Sequence, residues 1–354
     1  MTTTAFARRV AGTIAAGTPA VARRVAGTIA AGTPAVARRV AGTLVRWRGI
    51  IGLNYHRIGD GRRTLFDRGL YSATAEDFDT HVRWLKSNFD VIAPRDITTA
   101  VRAKRGRHVI ITFDDGYADN HEHAFPILKS HGVVATFFIA TGFIDQPRLP
   151  WWDEIAWMVR TSKRSDIELP RFLAARVSFD DPEREGAVRA LLRAYKKLPD
   201  SRTTEFLDAV GRATGTGRPT PDVIDARTIW MTWDMIRQMH AGGMTIGGHT
   251  AHHPVLARLS REDQANEIAI CERRLKEELG IPMTTFSYPV GTVDAFNTES
   301  RACLRERGVH TAFSYYGGMR RLSDWDDYDI RRIAIEQDTS FDEFRAMVMF
   351  PWTT

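Results

Sequence analysis

Two adjacent carboxylates followed by a glycine are the sharpest chemical signal in this 354-residue chain. Asp114, Asp115 and Gly116 come directly after a run of β-branched and aromatic residues at 109–113. Side chains alternate along a strand, so one carboxylate can reach a metal ion while its neighbour stands beside the ion's open coordination position. An aspartate that caps the N-terminus of a helix, next to a solvent-exposed aspartate, would give the same sequence motif. The motif alone therefore leaves a functional and a structural interpretation open.

A pair of histidines four residues apart favours the functional interpretation. His249 and His253 follow a second strand-like segment, and a helical turn there would point both imidazoles the same way, as neutral nitrogen ligands. Together with Asp115 they give two nitrogens and one carboxylate oxygen, a set that leaves positions for water and substrate, as in hydrolytic metal sites. The ion lowers the pKa of its water toward ~7 and polarises a carbonyl, and Asp114 can take the water's proton.

These motifs lie at strand ends in a chain that alternates between strand and helix patterns. Strands are predicted at 49–55, 109–113, 133–139, 244–247, 284–288 and 311–314, and helices at 75–89, 121–131, 233–240, 262–279 and 299–307. Such alternation predicts an α/β fold in which helices flank a parallel sheet, either as a barrel or as an open sheet.

A helical insertion is expected at about 145–229, because this stretch has few strand-like runs and is rich in charged helix formers. We expect it on the rim at the strand ends, where barrels carry their functional loops. Its first residues include Trp151 and Trp152. These two side chains could stack on sugar rings, or they could pin the insertion to the barrel.

Residues 1–48 form a basic repetitive N-terminal arm, distinct from the barrel at 49–354. One 15-residue unit recurs almost letter for letter at 6–20, 21–35 and 36–43. A repeat this short buries no core, so the arm is expected to be disordered or loosely helical, with contact to a membrane surface as the alternative. The arm lacks the continuous apolar segment of a secretory signal, and no transmembrane helix is expected. A cytoplasmic or membrane-associated location is therefore favoured.

The net charge of +6 belongs to the arm and not to the folded body. Nine arginines and no acidic residue precede Asp60, which leaves 40 basic and 43 acidic residues for the remainder. Phosphate binding needs a basic face, so no nucleic-acid partner is expected. Cys271 and Cys303 lack metal-like spacing and are expected to be reduced thiols. The oligomeric state stays open.

The motifs resemble those of the polysaccharide deacetylase (NodB-homology) superfamily, of the carbohydrate esterase type. Thr112–Gly116 and His249–His253 are similar to its first two motifs and occur in the same order and context. The resemblance covers about residues 50–349, and it includes three further segments: Tyr55–Arg57, Met231–Trp233 and Phe286–Gly291.

This resemblance implies a distorted (β/α) barrel and a metal-dependent hydrolase that removes N-acetyl groups from a glycan, such as an exopolysaccharide, peptidoglycan or a chitin-like oligosaccharide. It implies a divalent ion, Zn²⁺ first with Co²⁺, Ni²⁺ or Mn²⁺ as alternatives, held by Asp115, His249 and His253. Asp114 corresponds to the catalytic base. The backbone N–H of Val290 falls where the family stabilises the oxyanion, and such a donor is typically worth a few kcal/mol.

The chain departs from the family pattern at two positions. Ser287 stands where many members carry an arginine that holds the catalytic aspartate, so Arg331 or Arg332 is expected to supply that charge instead. The family's late histidine, which protonates the leaving amine, has no counterpart, since no histidine occurs after residue 310. His56 is one candidate for this role, and the catalytic aspartate acting as both base and acid is the other.

Two other functions stay open at this point. The same metal site could act on a small non-glycan amide or ester, or the chain could be a weakly active carbohydrate-binding relative. An open groove lined by aromatic side chains would favour the glycan, and a closed pocket would favour the small amide.

Overall fold

The computed structural model describes residues 47–182 and 184–351. Its centre is a sheet of seven short parallel strands. The strands are β1 (Gly49–Tyr55), β2 (Arg107–Phe113), β3 (Thr136–Ile139), β4 (Thr245–Gly248), β5 (Thr285–Ser287), β6 (Thr311–Phe313) and β7 (Arg332–Ala334). Almost all of their residues are buried, as expected of parallel strands that are covered on both faces.

The sheet closes into a distorted barrel. Neighbouring strands pair in parallel in the spatial order β6-β5-β4-β3-β2-β1-β7. A parallel bridge between Phe313 of β6 and Ile330, two residues before β7, links the two ends of this order. A further short strand, Asp90–Val91, pairs with the first half of β2. The predicted α/β class and (β/α) barrel are confirmed, and the open-sheet alternative is excluded.

Helices alternate with the strands much as the sequence predicts. Within the described residues they are α1 (Ala75–Asn88), α2 (Ile97–Ala103), α3 (Phe125–His131), α4 (Thr141–Asp145), α5 (Trp151–Thr161), α6 (Glu185–Lys197), α7 (Thr203–Thr214), α8 (Trp233–Ala241), α9 (Arg261–Leu279), α10 (Thr298–Glu306) and α11 (Phe341–Met349). Thr74, Thr232 and Ser260 cap α1, α8 and α9 through their side-chain oxygens, which fixes where these helices begin. The segment predicted as helix from residue 121 begins as a π-helical turn, Asn120–Ala124, before α3.

Alternation along β2 points one row of side chains into the barrel. Ile110 belongs to a small inner cluster with Phe138, Phe313 and Ile330, while its strand neighbours join the larger core between sheet and helices. Thr112 continues the inner row. Asp114 follows it directly, so the fold aims this carboxylate toward the barrel axis at the strand end.

The insertion at 145–229 contains helices α5, α6 and α7, together with an antiparallel pair, Asp166–Ile167 with Val177–Ser178, that the sequence pattern does not predict. The predicted arm falls almost entirely within residues 1–46, outside the described residues. Trp47 already belongs to the folded body: it is 2% exposed, and its Nε1 donates to the backbone oxygen of Val348 at 3.1 Å. The part of the chain that the structure describes holds no helix with the length and hydropathy of a membrane span.

Candidate active site

The carboxyl ends of the strands bring the predicted site residues together in one groove. His56 follows β1, the two aspartates follow β2, the two histidines follow β4, and Val290 follows β5. The groove has a cavity volume of ≈ 770 Å³ and is open to solvent. Its lining includes His56, Asp114, Asp115, His249, His253 and Val290. Parallel strands end at the same side of a barrel, which is why motifs far apart in sequence meet here.

Three of these side chains have the spacing of a metal site. One ligand atom each of Asp115, His249 and His253 lies within 4.8 Å of the other two, and all three residues are buried. Oδ1 of Asp115 lies 3.3 Å from Nε2 of His249 and 3.4 Å from Nε2 of His253. This buried oxygen accepts no hydrogen bond from the described residues. A buried charge of this kind is stable when a cation pairs with it.

His249 presents Nε2 to this cluster as a lone pair. Its Nδ1 lies 2.7 Å from the backbone oxygen of Ser287, and since a carbonyl only accepts, Nδ1 is the donor. The neutral ring therefore keeps its lone pair on Nε2. Histidines that bind metals through one ring nitrogen are generally oriented by such a hydrogen bond from the other. The donor set, its burial and its unsatisfied oxygen all fit the divalent ion that the motifs predict.

The histidine pair does not lie on a helical turn, and the sequence-based prediction of one was wrong. Thr250 and His253 have φ of 65° and 57°, so the chain between the two histidines is an irregular loop. The hydroxyl of Thr250 accepts a hydrogen bond from the backbone N–H of His253 at 2.9 Å and folds the loop back on itself. The imidazoles converge because of this fold and not because of helical periodicity. Asp115, with φ of 76°, is also left-handed, and such residues cost of order 1–3 kcal/mol each and cluster at functional sites.

Asp114 lies beside the cluster and is held from several strands. Arg332 of β7 donates from Nη1 to Oδ1 and from Nη2 to Oδ2, each at 2.8 Å. Oδ2 also accepts from Asn54 Nδ2 at 3.1 Å and from the Ser287 hydroxyl at 3.2 Å. Since Oδ2 has three donors and Oδ1 has one, Oδ1 is the oxygen that retains a lone pair for a proton.

Charge keeps both aspartates ionised. Burial acts to raise the pKa of Asp114, but the charges of Arg332 and His249 hold it well below its usual value. Burial likewise opposes ionisation of Asp115, whose pKa is nevertheless lowered by His249 and His253. Burial lowers the pKa of His253 itself to about 3, so its imidazole is neutral. Against the effect of burial, the neighbouring carboxylates raise the pKa of His249, so this imidazole holds a proton more readily than a free histidine and releases it when a metal binds.

Of the two candidate arginines, Arg332 is the one that contacts Asp114. Its side chain is completely buried, whereas the guanidinium of Arg331 lies 5.0 Å from the ring of Tyr316. Consecutive residues of a strand face opposite ways, and the sequence alone does not say which faces inward. The hydrogen bond from Asn54 to Asp114 was not predicted, because a single asparagine within an apolar strand carries no signal of metal or acid–base chemistry.

His56 lines the groove with its backbone fixed on both sides. Its N–H donates to the Ser72 hydroxyl at 3.0 Å, and its carbonyl accepts from Asn120 Nδ2 at 2.7 Å. Its ring meets Tyr315 edge-on, with 5.8 Å between the centroids. Burial lowers the pKa of this imidazole, so it is neutral near pH 7.

Val290 has a backbone conformation that is rare for a β-branched residue. Its φ of 63° is left-handed, and Gly291 after it is left-handed as well. A Cβ on Gly291 would lie 2.7 Å from the Cβ of Tyr315, so only glycine fits there. The tight turn places Val290 in the groove wall, next to the cluster that the histidines form.

The two tryptophans at the start of the insertion are buried. Trp151 stacks on Tyr195 of α6 with 4.1 Å between the centroids, and Trp152 packs against His253 at 4.6 Å. Both also contribute to the groove wall. The contact of Trp152 with His253 supports the interpretation that this residue pins the insertion to the barrel, whereas Trp151 stacks within the insertion.

Comparison with known sequences points the same way. A family model for polysaccharide deacetylases matches residues 102–164 and 177–312. YxkH of Bacillus subtilis (strain 168) is 33% identical over 91 residues, which are 25% of this chain and 30% of that protein. The poly-beta-1,6-N-acetyl-D-glucosamine N-deacetylase of Staphylococcus aureus (strain MSSA476) is 31% identical over 112 residues, covering 27% of this chain and 37% of that enzyme. The chain thus spans about a third of the length of these curated relatives.

Among solved structures, the Streptococcus pyogenes deacetylase PplD in complex with acetate superimposes with a TM-score of 0.54 at 16% identity, over 84% of this chain and 97% of that one. At this identity the likeness concerns the fold, and it agrees with the (β/α) barrel described above. The family model covers more than half of the residues, including the strand ends that carry the paired aspartates and the histidine pair. This chain therefore belongs to the polysaccharide deacetylase family.

Proposed function

We propose that this protein is a metal-dependent hydrolase that removes N-acetyl groups from an N-acetylated glycan. The proposal rests on a metal-ligand cluster and a carboxylate base that line the same groove. A buried cluster of metal-ligand type, Asp115, His249 and His253, lies beside an ionised carboxylate, Asp114, that retains a free lone pair. Hydrolysis of an unactivated amide requires a cation that polarises the carbonyl and a base that takes the proton of water. The cluster can hold the cation, and Asp114 can act as the base.

The shape of the groove supports a glycan rather than a small amide. It is open to solvent, and the aromatic side chains of Tyr71, Trp151, Trp152 and Tyr315 contribute to its walls. A pocket for a small amide would enclose its ligand. One relative is named for action on poly-beta-1,6-N-acetyl-D-glucosamine, which makes an N-acetylglucosamine polymer the first substrate to test.

Zn²⁺ is the ion we propose for the cluster, with Co²⁺, Ni²⁺ or Mn²⁺ as substitutes. Two imidazole nitrogens and one carboxylate oxygen suit zinc better than Mg²⁺ or Ca²⁺, which prefer all-oxygen sites. When bound, such an ion polarises a carbonyl and lowers the pKa of water. Asp115, His249 and His253 are the residues that hold it.

Asp114 acts as the base through Oδ1. Arg332 and the two donors on Oδ2 fix the carboxylate plane, so the free lone pair of Oδ1 has one direction. The proton that leaves the attacking water moves to this oxygen. The water oxygen forms a bond to the acetyl carbon, and the charge that develops on the carbonyl oxygen is stabilised by the backbone N–H of Val290.

The C–N bond then breaks, acetate leaves, and the sugar nitrogen takes a proton. Two groups in the groove can donate it: Asp114 once Oδ1 carries the proton from water, or His56, which must first take up a proton because its imidazole is neutral near pH 7. The two routes differ in what a His56→Gln variant does. It loses activity if His56 is the donor, and it keeps activity if Asp114 returns the proton.

The test is acetate release from a panel of substrates with Zn²⁺ or Co²⁺ added. The panel contains poly-N-acetylglucosamine, chitin oligomers, peptidoglycan and a small N-acetyl amide. Asp114→Asn, loaded with the same metal, is the matched control for contaminating activity. We expect metal-dependent release from at least one glycan and none from the control. Equal release from wild type and Asp114→Asn, or release from the small amide only, contradicts the proposal.

A further inference from the structure

Trp152, in the first turn of α5, connects the insertion to the metal cluster. Its side chain is 4% exposed, and its ring lies against the imidazole of His253 with 4.6 Å between the centroids and an interplanar angle of 67°. An edge-to-face contact of this kind is favourable and restricts the rotation of both rings. The insertion thus contacts one of the three candidate ligands directly.

Among the described residues, two aromatic rings contact the imidazole of His253: that of Trp152, and that of His249 with 4.8 Å between the centroids. Nδ1 of His249 donates to a backbone oxygen of β5, but the buried Nδ1 of His253 has no hydrogen-bond partner among the described residues. Metal-ligating histidines almost always use their second nitrogen in such a bond. Packing must therefore orient the ring of His253 in place of a hydrogen bond. Of the two rings that pack on it, that of Trp152 is the one outside the metal cluster.

Trp152 is itself fixed by the loop that carries the aspartates. Its Nε1 donates to the hydroxyl of Tyr117 at 2.8 Å, and Tyr117 follows Asp115 by two residues. Tyr117 in turn stacks on Trp230, with 4.7 Å between the centroids, and all of these rings are buried. One side chain of the insertion therefore contacts the histidine loop through its ring and the aspartate loop through its N–H.

We propose that Trp152 is a positioning residue that holds His253 in the orientation required for metal binding, and that the insertion thereby completes a metal site whose ligands all come from the barrel. The proposal rests on the metal site of the proposed function. It predicts that changes at Trp152 alter the affinity and geometry of the bound ion in the absence of any substrate.

The test is Co²⁺ binding to full-length protein, measured as the dissociation constant and as the visible absorption spectrum of the bound ion. Trp152→Leu keeps apolar volume but removes the ring. We expect the dissociation constant for Co²⁺ to rise by about 10- to 100-fold, the usual effect of losing a side chain that orients a metal ligand. Trp152→Phe keeps a ring against His253 and should recover most of this loss. Trp84 of α1 packs on Phe89 and Phe344 and does not line the groove, so Trp84→Leu is the matched control for loss of a large aromatic side chain and should bind Co²⁺ as wild type does.

Wild-type affinity and an unchanged spectrum in Trp152→Leu overturn the proposal, as does an equal loss in Trp84→Leu. If Trp152→Leu does not fold, Tyr117→Phe decides instead, because it leaves every ring in place and removes only the acceptor for Nε1. We expect it to weaken Co²⁺ binding by about two- to tenfold, the equivalent of one net hydrogen bond, and wild-type affinity would overturn the proposal. Failure of wild-type protein to bind Co²⁺ overturns both the metal site of the proposed function and this inference, whereas failure to release acetate from any glycan counts against the proposed function alone.

Discussion

Arg332 in the last strand binds both carboxylate oxygens of Asp114 at the end of the second, and each of the two N–O distances is 2.8 Å. Both residues are buried, and the guanidinium also donates from Nε to the backbone oxygen of Ser314 at 2.9 Å. A fork of two parallel bonds fixes the plane of the carboxylate as well as its charge. The pair links β7 to the end of β2 across the intervening strand β1.

Arg332→Met should both destabilise the protein and move its pH–rate profile. Loss of one partner of a buried ion pair typically costs about 3–5 kcal/mol, because the remaining charge stays buried and unpaired. Without the guanidinium, burial dominates and the pKa of Asp114 rises from its lowered position. The acidic limb of kcat against pH should therefore shift to higher pH, and the free energy of unfolding should fall.

Arg332→Lys is the matched variant, since it keeps the charge and loses the fork. It should leave the acidic limb closer to that of wild type than Arg332→Met does, while kcat still falls. Denaturant unfolding and pH–rate profiles check the two effects separately. An unchanged acidic limb in Arg332→Met would mean that the pKa of Asp114 does not depend on this arginine.

Substitution of either adjacent aspartate should strongly reduce activity, but only one of the two substitutions should weaken metal binding. Asp115→Asn should weaken the metal, because a neutral amide oxygen is a poorer ligand than a carboxylate. Asp114→Asn should keep the metal and lose ~10²–10⁴-fold in kcat, the usual size of a general-base contribution. Metal content after dialysis and steady-state kinetics measure both. Metal loss in Asp114→Asn with retention in Asp115→Asn would exchange the two roles.

The proposed metal ligands His249 and His253 lie in a loop beyond β4, so their removal should cost metal but not the fold. Alanine at either position should reduce metal occupancy and abolish turnover. The far-ultraviolet circular dichroism spectrum should stay that of wild type. Wild-type metal stoichiometry in both variants would remove the assignment of these histidines as ligands.

Val290→Gly should retain activity, since the proposed role belongs to a backbone N–H and not to the side chain. Glycine adopts a left-handed φ without the strain that a β-branched side chain brings. We expect kcat within a few-fold of wild type, and Val290→Ala is the control that shortens the side chain but keeps part of the strain. A loss of kcat of about 100-fold in the glycine variant, the size expected for a missing oxyanion donor, would show that the side chain matters.

Asp153 of α5 should make stability depend on pH near neutrality. It is completely buried among Arg57, Asp67 and Asp115, and burial raises its pKa to about 7. A carboxyl that keeps its proton in the folded chain but releases it in the unfolded chain makes stability fall as pH rises between the two pKa values. That window runs from about pH 4 to about pH 7.

Asp153→Asn should remove this dependence, because Asn keeps the oxygen that accepts the backbone N–H of Asp67 and has no proton to lose. Relative to the variant, wild type should lose stability on the order of a few kcal/mol between pH 5 and pH 8. The measurement is the difference in the free energy of unfolding between the two proteins at several pH values. A difference that does not change with pH would place the folded-state pKa of Asp153 near its ordinary value.

The arm lies outside the described residues, and its predicted role rests on the sequence. A truncated chain that begins at Arg46 should keep kcat on a soluble substrate, because the repeat contains no candidate acid, base or ligand. If the arm contacts a membrane surface, this truncation should lose binding to anionic vesicles, measured by co-sedimentation. Equal sedimentation of both chains would end the membrane-surface hypothesis.

The sequence by itself determined the elements and the chemical character of the site. Alternating strand and helix periodicities identified six of the seven barrel strands, since side-chain period follows directly from backbone geometry. β7 is only three residues long, too short for periodicity to stand out, and it is not among the strands predicted from the sequence. Asp114, Asp115, His249 and His253 were found because carboxylates and imidazoles at strand ends carry a chemical signal of their own.

Tertiary structure decided how these residues are held. Arg331 and Arg332 are neighbours of identical type, and only the orientation of β7 in the closed barrel turns one toward Asp114 and the other toward Tyr316. The two histidines converge through left-handed residues in a loop and not through the helical periodicity that the sequence predicts. The contact of Trp152 with His253 depends on how the insertion folds over the rim. Periodicity and motif spacing report what one segment does locally, whereas the contacts of Arg332 with Asp114 and of Trp152 with His253 join segments that are far apart in sequence, and packing alone fixes them.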